Sequence, residues 1–113
     1  MIYYDKEAEM DLKKKIGKRI KEIRKQKGLS QEQFAEMIDL AQNTLSYIET
    51  GNHFCSAETL GRIITALEVE PNELFDFGHQ KEHTELISEI NKMLSGNPEK
   101  VREIYKIIRA VVY

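Results

Sequence analysis

The side chains best suited to bind a metal ion are two histidines and the single cysteine. His79 and His83 are four residues apart, which on a helix would place both imidazoles on one face, and Cys55 is a third residue type that zinc accepts. Gly78 and the polar residues around the histidines are more typical of a linker than of a metal-binding helix. We therefore predict no metal site and no cofactor.

Motifs for catalysis are also missing from the sequence. It contains no glycine-rich phosphate loop, no nucleophile elbow and no paired catalytic carboxylates. A chain of 113 residues leaves no room for a second domain of the size that binds a small molecule. We predict that the protein is not an enzyme and that it has no small-molecule ligand.

Charge is distributed in blocks, although the net charge is only -2. Residues 13–27 hold nine lysines and arginines against one glutamate, whereas residues 28–77 hold nine acids and one arginine. The basic block suggests attraction to nucleic-acid phosphates, with Lys15, Lys18 and Arg19 as candidates, but an ordinary solvated helix face is the alternative.

The N-terminus and the apolar segments indicate an intracellular protein. Residues 1–10 turn acidic and lack the basic flank and apolar run of a signal peptide. The C-terminal stretch IYKIIRAVVY is too short and too charged to span a bilayer. A single cysteine cannot form an internal disulfide, which fits a reducing compartment. We predict a cytoplasmic protein with no membrane contact.

Apolar residues recur at intervals of three and four along most of the chain, which predicts an all-helical fold. A first helix carries the stripe Leu12 to Ile23 and ends at Gly28. Ser30 and Gln33 form a capping-box pattern at the start of a short second helix. A third helix runs from about residue 42 and stops at Gly51.

Two further helices complete the first part of the chain. The stripe Leu60 to Leu67 predicts the fourth helix, and Pro71 opens a short fifth. Leu74 and Phe75, with Phe77 after them, are expected in the core. Residues 1–11 are left as an N-terminal arm, either a disordered acidic segment or a short strand that joins a dimer.

The remaining residues, 78–113, predict a helical hairpin. Leu86 to Leu94 and Val101 to Val112 each form an apolar stripe at helical spacing, and the two are separated by Gly96 and Pro98. A hairpin alone cannot bury two such stripes, so it needs a partner surface. We favour a second copy of the chain, and packing on its own first domain is the alternative.

The run from Ile16 to Phe75 resembles the phage repressor and Cro type of helix-turn-helix, the XRE family. The resemblance is carried by IGKRIKEIRKQKGLSQEQFA, by TLSYIETG and by TLGRIITALEVEPNELF, and it covers about sixty of the 113 residues. It implies a lambda-repressor-like, five-helix DNA-binding domain over residues 12–77. The implied function is sequence-specific transcriptional regulation.

In that family the second helix of the motif enters the major groove of double-stranded DNA, and its first residues meet base edges. Matched by position, Thr44 is assigned to the DNA backbone, and Tyr47 either meets a base or shields the helix from solvent. The glutamine and asparagine amides suit adenine, which suggests a bias towards A·T pairs. The resemblance implies the DNA-binding residues Gln31, Gln42, Asn43, Thr44, Ser46, Tyr47, Asn52 and His53.

Other positions have structural roles or depart from the family pattern. Arg24 and Glu49 match a family ion pair that ties the first helix to the third. Thr50 stands where arginine is common, Cys55 where proline is common, and Ala41 where a serine or threonine usually caps the third helix. These changes leave few cations on the surface that is expected to face DNA. We therefore predict that one copy binds DNA weakly, which favours a dimer.

The function expected from the sequence is a homodimeric repressor that occupies a palindromic operator and excludes polymerase. An interaction module of another class is the alternative, namely an antitoxin-like protein or adaptor with weak DNA binding. The acidic block over residues 28–77 and the apolar hairpin motivate it.

Overall fold

A computed structural model describes residues 3–113, which form seven α-helices and no β-strand. This confirms the predicted all-helical class. One compact unit ends at Gly78, and the other is His79–Tyr113. The helices are α1 (Lys6–Gln26), α2 (Gln31–Met37), α3 (Gln42–Glu49), α4 (Ala57–Leu67), α5 (Pro71–Leu74), α6 (His83–Gly96) and α7 (Val101–Val112), with 3₁₀ turns at Gly78–Gln80 and Pro98–Lys100.

Helix α1 begins six residues earlier than the apolar stripe predicts. The Asp5 carboxylate caps it by accepting hydrogen bonds from the backbone N–H groups of Glu7 and Ala8, at 2.9 and 3.2 Å. Hydrogen bonds from the Tyr4 hydroxyl and from Lys13 hold the pKa of Glu9 at about 2. Residues from Lys6 onward are therefore helical and belong neither to a disordered arm nor to a strand, and the first two residues of the predicted arm lie outside the described residues.

The local signals that start and stop the next helices are confirmed. Ser30 Oγ accepts from the backbone N–H of Gln33 at 3.0 Å, while Gln33 Oε1 accepts from the Ser30 N–H at 2.9 Å. Gly28 and Gly51 end α1 and α3 with φ of +73° and +81°, a region that favours glycine. These caps set the lengths of the three helices that build the site.

The core of the first unit lies between α1 and the four shorter helices. One residue of the predicted apolar stripe and one predicted core position lie at the surface. Leu12 is 47% exposed and lies one turn before Ile16, the first buried residue of α1. Phe75 is 45% exposed because α5 ends at Leu74, so that the Phe75 ring packs edge to face on Phe77 at the surface. The buried apolar residues are Ile16, Ile20, Ile23, Phe34, Ala35, Ile38, Leu45, Ile48, Ile63, Leu67 and Leu74.

The second unit consists of α6, a turn and α7. Asn97 caps the end of α6, and its side-chain amide donates to the Met93 carbonyl at 2.9 Å. Within residues 79–113, all of which the structure describes, no side chain is fully buried, and Leu86, Leu94 and Ile104 are only half-buried. Across residues 3–113, none of the helices combines the length and apolar character that crossing a bilayer requires.

Candidate nucleic-acid interface

Helix α3 has one anchored face and one open face. Leu45, Ile48 and Glu49 are buried against the rest of the unit. Gln42 and Asn43, in the first turn, are exposed, and so is Thr44. The structure therefore brings two carboxamides and a hydroxyl together at the N-terminal end of one rigid helix, where they can donate and accept hydrogen bonds.

Ser46 and Tyr47 lie further along α3, and both form contacts within the protein. Ser46 is half-buried, and its carbonyl accepts a hydrogen bond from the Thr50 hydroxyl at 3.0 Å. The Tyr47 ring is half-exposed and packs edge to face on His53, with 5.1 Å between the ring centroids. A ring stacked in this way shields the helix and still presents its hydroxyl, so the geometry is compatible with both predicted roles of Tyr47.

The loop after α3 is held by the helix that it follows. The backbone N–H groups of Asn52 and His53 both donate to the Tyr47 carbonyl, at 2.9 and 3.2 Å. The Asn52 side-chain amide donates to the Thr50 hydroxyl at 3.1 Å. Asn52 and His53 are exposed, so these bonds place two polar side chains beside the open face of α3.

Gln31 is placed differently from the expectation. Its side-chain amide donates to Glu49 Oε1 at 3.1 Å, and the residue is half-buried. A side chain used in this way is turned towards the protein, whereas the resemblance implies that Gln31 contacts DNA. The reason is that a buried carboxylate has more lone pairs to satisfy than one arginine can reach. Gln31 therefore helps to position α3.

The predicted ion pair between α1 and α3 is confirmed. Arg24 Nε and Nη2 donate to the two carboxylate oxygens of Glu49 at 2.8 and 3.1 Å, and both side chains are buried. Arg24 Nη1 donates to the Leu29 carbonyl in the turn before α2, at 2.8 Å. This bidentate geometry fixes the orientation of the two side chains as well as the distance between them. The pair therefore sets the angle between α1 and α3.

Sequence reasoning missed the role of Gly17. It is buried where α1 crosses α3, and a Cβ there would collide with the carbonyl oxygen of Ile48 and lie 2.7 Å from that of Glu49. The two helices approach this closely only because Gly17 has no side chain. The available signal was a glycine inside an otherwise regular amphipathic helix, which usually has a packing reason.

The start of α3 is the weakest point of the candidate interface. Ala41 is the N-cap residue and offers no side-chain oxygen to the first N–H groups of the helix. We expect Ala41→Ser to stabilise the unit by about 0.5–1 kcal/mol, because a serine hydroxyl can accept from the N–H of Asn43 or Thr44. Urea unfolding followed by circular dichroism measures this as a higher midpoint with an unchanged slope.

The matched reverse change is Ser30→Ala, which removes the observed cap of α2 and should cost about 1 kcal/mol. An Ala41→Ser midpoint equal to that of the wild type, beside a lowered Ser30→Ala midpoint, would contradict the prediction for α3.

Two of the three cations predicted to attract phosphate are engaged within the protein. Lys15 pairs with Asp11 at 3.0 Å. Arg19 pairs with Glu22 at 2.6 Å and also donates to the Glu73 carbonyl at 2.9 Å. These contacts tie α1 together and to α5, which makes Lys15 and Arg19 poorer candidates than Lys18.

The residues considered for metal binding lie in three different parts of the chain. Cys55 is half-buried, and burial raises the pKa of its thiol. His79 lies in the 3₁₀ turn after Phe77, and His83 is the first residue of α6. Over residues 3–113, no three histidine, cysteine or acidic side chains are grouped closely enough to hold a metal ion.

Known proteins resemble this chain over the domain that carries α3. A family model described as a helix-turn-helix domain matches residues 17–76. The control protein C.MunI from a Mycoplasma species is 41% identical over 66 residues, which cover 58% of this chain and 89% of that protein.

Two solved structures share the fold. The restriction-modification controller protein C.AhdI from Aeromonas hydrophila has 39% identity and a TM-score of 0.53, over 57% of this chain and 96% of its own. A chain from the complex of the SinR and SinI proteins has 28% identity and a TM-score of 0.54, over 83% and 94%.

These relatives are regulators rather than enzymes, and the matched domain contains the whole of α2 and α3. A lambda-repressor-like fold, an exposed first turn of α3 and a matched family model agree with one another. The chain belongs to the XRE-type helix-turn-helix family and is a DNA-binding transcription regulator.

Proposed function

We propose that the protein is a cytoplasmic repressor that binds a palindromic operator as a homodimer, with the first turn of α3 in the major groove. The observation that carries this proposal is the pair of exposed carboxamides, Gln42 and Asn43, on a helix whose opposite face is buried. Side chains on a rigid helix can be presented to base edges in one register.

Amide chemistry favours particular bases. A glutamine or asparagine side chain accepts from the N6 amino group of adenine and donates to N7, and one such bidentate pair discriminates against a wrong base by about 1–3 kcal/mol. Ser46 adds a hydroxyl near the same end of α3, whereas Thr44 is assigned to the DNA backbone. We therefore expect at least one A·T pair at the centre of each half-site.

Backbone contacts are assigned to the loop after α3. Asn52 and His53 are exposed beside the reading helix, and their own backbone is tied to Tyr47. Polar side chains held in this way can set the register of the protein on the duplex without reading its sequence. Gln31 contributes indirectly by holding Glu49.

Dimerisation is assigned to the second unit. Along α7 the exposed apolar residues Val101, Tyr105, Ile108 and Val112 recur at intervals of four, three and four, so they share one face. A face of this kind, on a unit without buried side chains, is suited to pack against the same face of a second chain. The two chains would then form a two-fold interface. Two half-sites about one helical turn apart would follow.

The test is selection of bound sequences from a random duplex pool. We expect the wild type to yield a palindromic motif, and the double variant Gln42→Ala, Asn43→Ala to lose or relax that motif by about 1–3 kcal/mol per lost pair. The two alanines favour a helix, so the fold should survive. Circular dichroism of the variant checks this.

A matched control removes the same two residue types elsewhere. Gln26 and Asn72 are exposed at the end of α1 and in α5, and the double variant Gln26→Ala, Asn72→Ala should select the wild-type motif. No motif from the wild type at low salt would contradict the proposed function. A single unrepeated half-site would contradict the homodimer alone.

An adaptor that binds a partner protein is the second candidate. The likeness to a chain from the SinR and SinI complex covers 83% of this chain and so extends beyond residues 17–76. Salt dependence separates the two candidates. A DNA reader that makes four to six phosphate contacts loses affinity with a log-log slope of about -4 to -5, whereas an adaptor that binds DNA only weakly gives a shallower slope.

A further inference from the structure

Four lysines on α1 form a continuous positive stripe. Lys14, Lys18, Lys21 and Lys25 are all exposed. Their spacing of four, three and four places them within about 60° of one another around the helix axis and spreads them over about 16 Å. We call these four residues the lysine stripe.

The ion pairs formed by the acids of α1 do not include the lysine stripe. Glu9 pairs with Lys13, Asp11 with Lys15, and Glu22 with Arg19. None of these cations belongs to the stripe, and among the described residues no acid forms an ion pair with any of its four members. Like charges at these spacings repel one another and destabilise a helix, so the stripe is suited to a polyanion.

One end of the lysine stripe lies beside residues assigned to the DNA backbone, and the other lies in the turn before α2. At one end, Lys14 Cα is 2.7 Å from the point that a Cβ on Gly51 would occupy, directly before Asn52 and His53. At the other end, the Lys25 carbonyl accepts from the Gly28 N–H in the turn that leads to α2. The stripe therefore runs from the loop after α3 to the turn before α2.

The position of the lysine stripe around α1 also suits contact with DNA beside α3. Gly17 and Arg24 face α3, and the stripe lies about 80° from them around α1, whereas the buried isoleucines lie on the opposite side. A lysine is a point charge on a long flexible stem, so it can follow a phosphate without a fixed geometry. Helix α3 itself holds no cation, and the lysine stripe can supply cations to one side of it.

We propose that the lysine stripe binds the phosphate backbone that flanks the bases contacted by α3. The inference rests on the proposed function, since it adds contacts with the phosphate backbone to the same DNA complex. It also supplies the cations that the acidic block over residues 28–77 lacks. Affinity would then come largely from α1, and base preference from α3.

The test replaces all four members of the lysine stripe by glutamine, a good helix former that removes the charge and keeps a polar end. Binding to the selected operator duplex is titrated between about 50 and 300 mM salt. We expect a log-log slope shallower by about two to four for each protomer, with the selected base motif unchanged. Hydroxyl-radical footprinting should show loss of protection outside the bases read by α3.

Two matched variants control for net charge. Changing Lys92, Lys100, Arg102 and Lys106 of the second unit to glutamine removes the same charge and should leave the slope at the wild-type value. Changing the four stripe lysines to arginine keeps the charge and should retain the slope. Circular dichroism confirms that each variant is folded.

A stripe variant with the wild-type slope and footprint overturns the inference, as does an equal loss of slope in the second-unit variant. Unchanged DNA binding with lost self-association would assign the stripe to a protein partner and would overturn it as well. If the wild type selects no motif, the proposed function fails instead. The stripe is then tested on a random duplex at low salt, where the same difference in slope is expected.

Discussion

Replacing Arg24 by methionine is expected to destabilise the first unit by about 3–5 kcal/mol and to abolish sequence-specific DNA binding. The guanidinium occupies both carboxylate oxygens of Glu49 and the Leu29 carbonyl. Without it, the Gln31 amide is the one remaining partner of this buried carboxylate among residues 3–113. A domain of this size has a free energy of unfolding of about 3–10 kcal/mol in total. Urea unfolding should therefore show a midpoint at a much lower urea concentration than that of the wild type.

Two comparisons separate the broken pair from the loss of a charge. The double variant Arg24→Met, Glu49→Leu removes both charges and should recover most of the stability, because well-packed apolar residues can replace a buried ion pair. Arg62→Met breaks an exposed pair with Glu58 and should cost less than about 1 kcal/mol. A similarly small cost for Arg24→Met would contradict the structural role of the buried pair.

Replacing Gly17 by alanine is expected to cost about 2–3 kcal/mol, which corresponds to a melting temperature lower by roughly 10–20 °C. The added methyl group meets the backbone carbonyls of Ile48 and Glu49, which are not flexible side-chain ends, so α1 and α3 must move apart. That movement also stretches the hydrogen bonds between Arg24 and Glu49. Thermal unfolding followed by circular dichroism measures the change, and affinity for the selected operator should fall with it.

Gly61→Ala is the control for a glycine inside a helix. Gly61 lies in α4 and is exposed, and a methyl group added there would meet no other part of the protein within 4 Å. Alanine there should stabilise the unit by about 0.5–1 kcal/mol, because it lowers the entropy lost on folding. A Gly17→Ala protein that also gains stability would show that α1 and α3 are not closely packed.

Local signals explain most of what the sequence predicted correctly. The Ser30 and Gln33 capping box and the glycines after α1 and α3 depend on a few neighbouring residues, so they can be recognised without the fold. The bond between Arg24 and Glu49 spans 25 residues and was predicted from the resemblance to a family. Periodicity alone would have left both residues as ordinary polar positions.

The errors have equally specific causes. Asp5 is a local cap for α1, but the acidic residues around it contain no apolar stripe, so the first six helical residues were interpreted as part of an arm. Phe75 is a large apolar residue next to Leu74 and was predicted to share its place in the core, but α5 ends at Leu74 and Phe75 is exposed. The direction of the Gln31 amide depends on a carboxylate eighteen residues away, which no local pattern reveals.

Glu49 receives hydrogen bonds from α1 through Arg24 and from the first residue of α2 through Gln31. One carboxylate thus joins the three helices around the reading surface. The tilt of α3 is consequently set when the protein folds and does not have to be selected when DNA arrives. Such preorganisation reduces the entropy lost on binding. Under the proposed function, it also prevents α3 from tilting to accommodate a wrong base, so discrimination would depend on the match between the fixed amides and the groove.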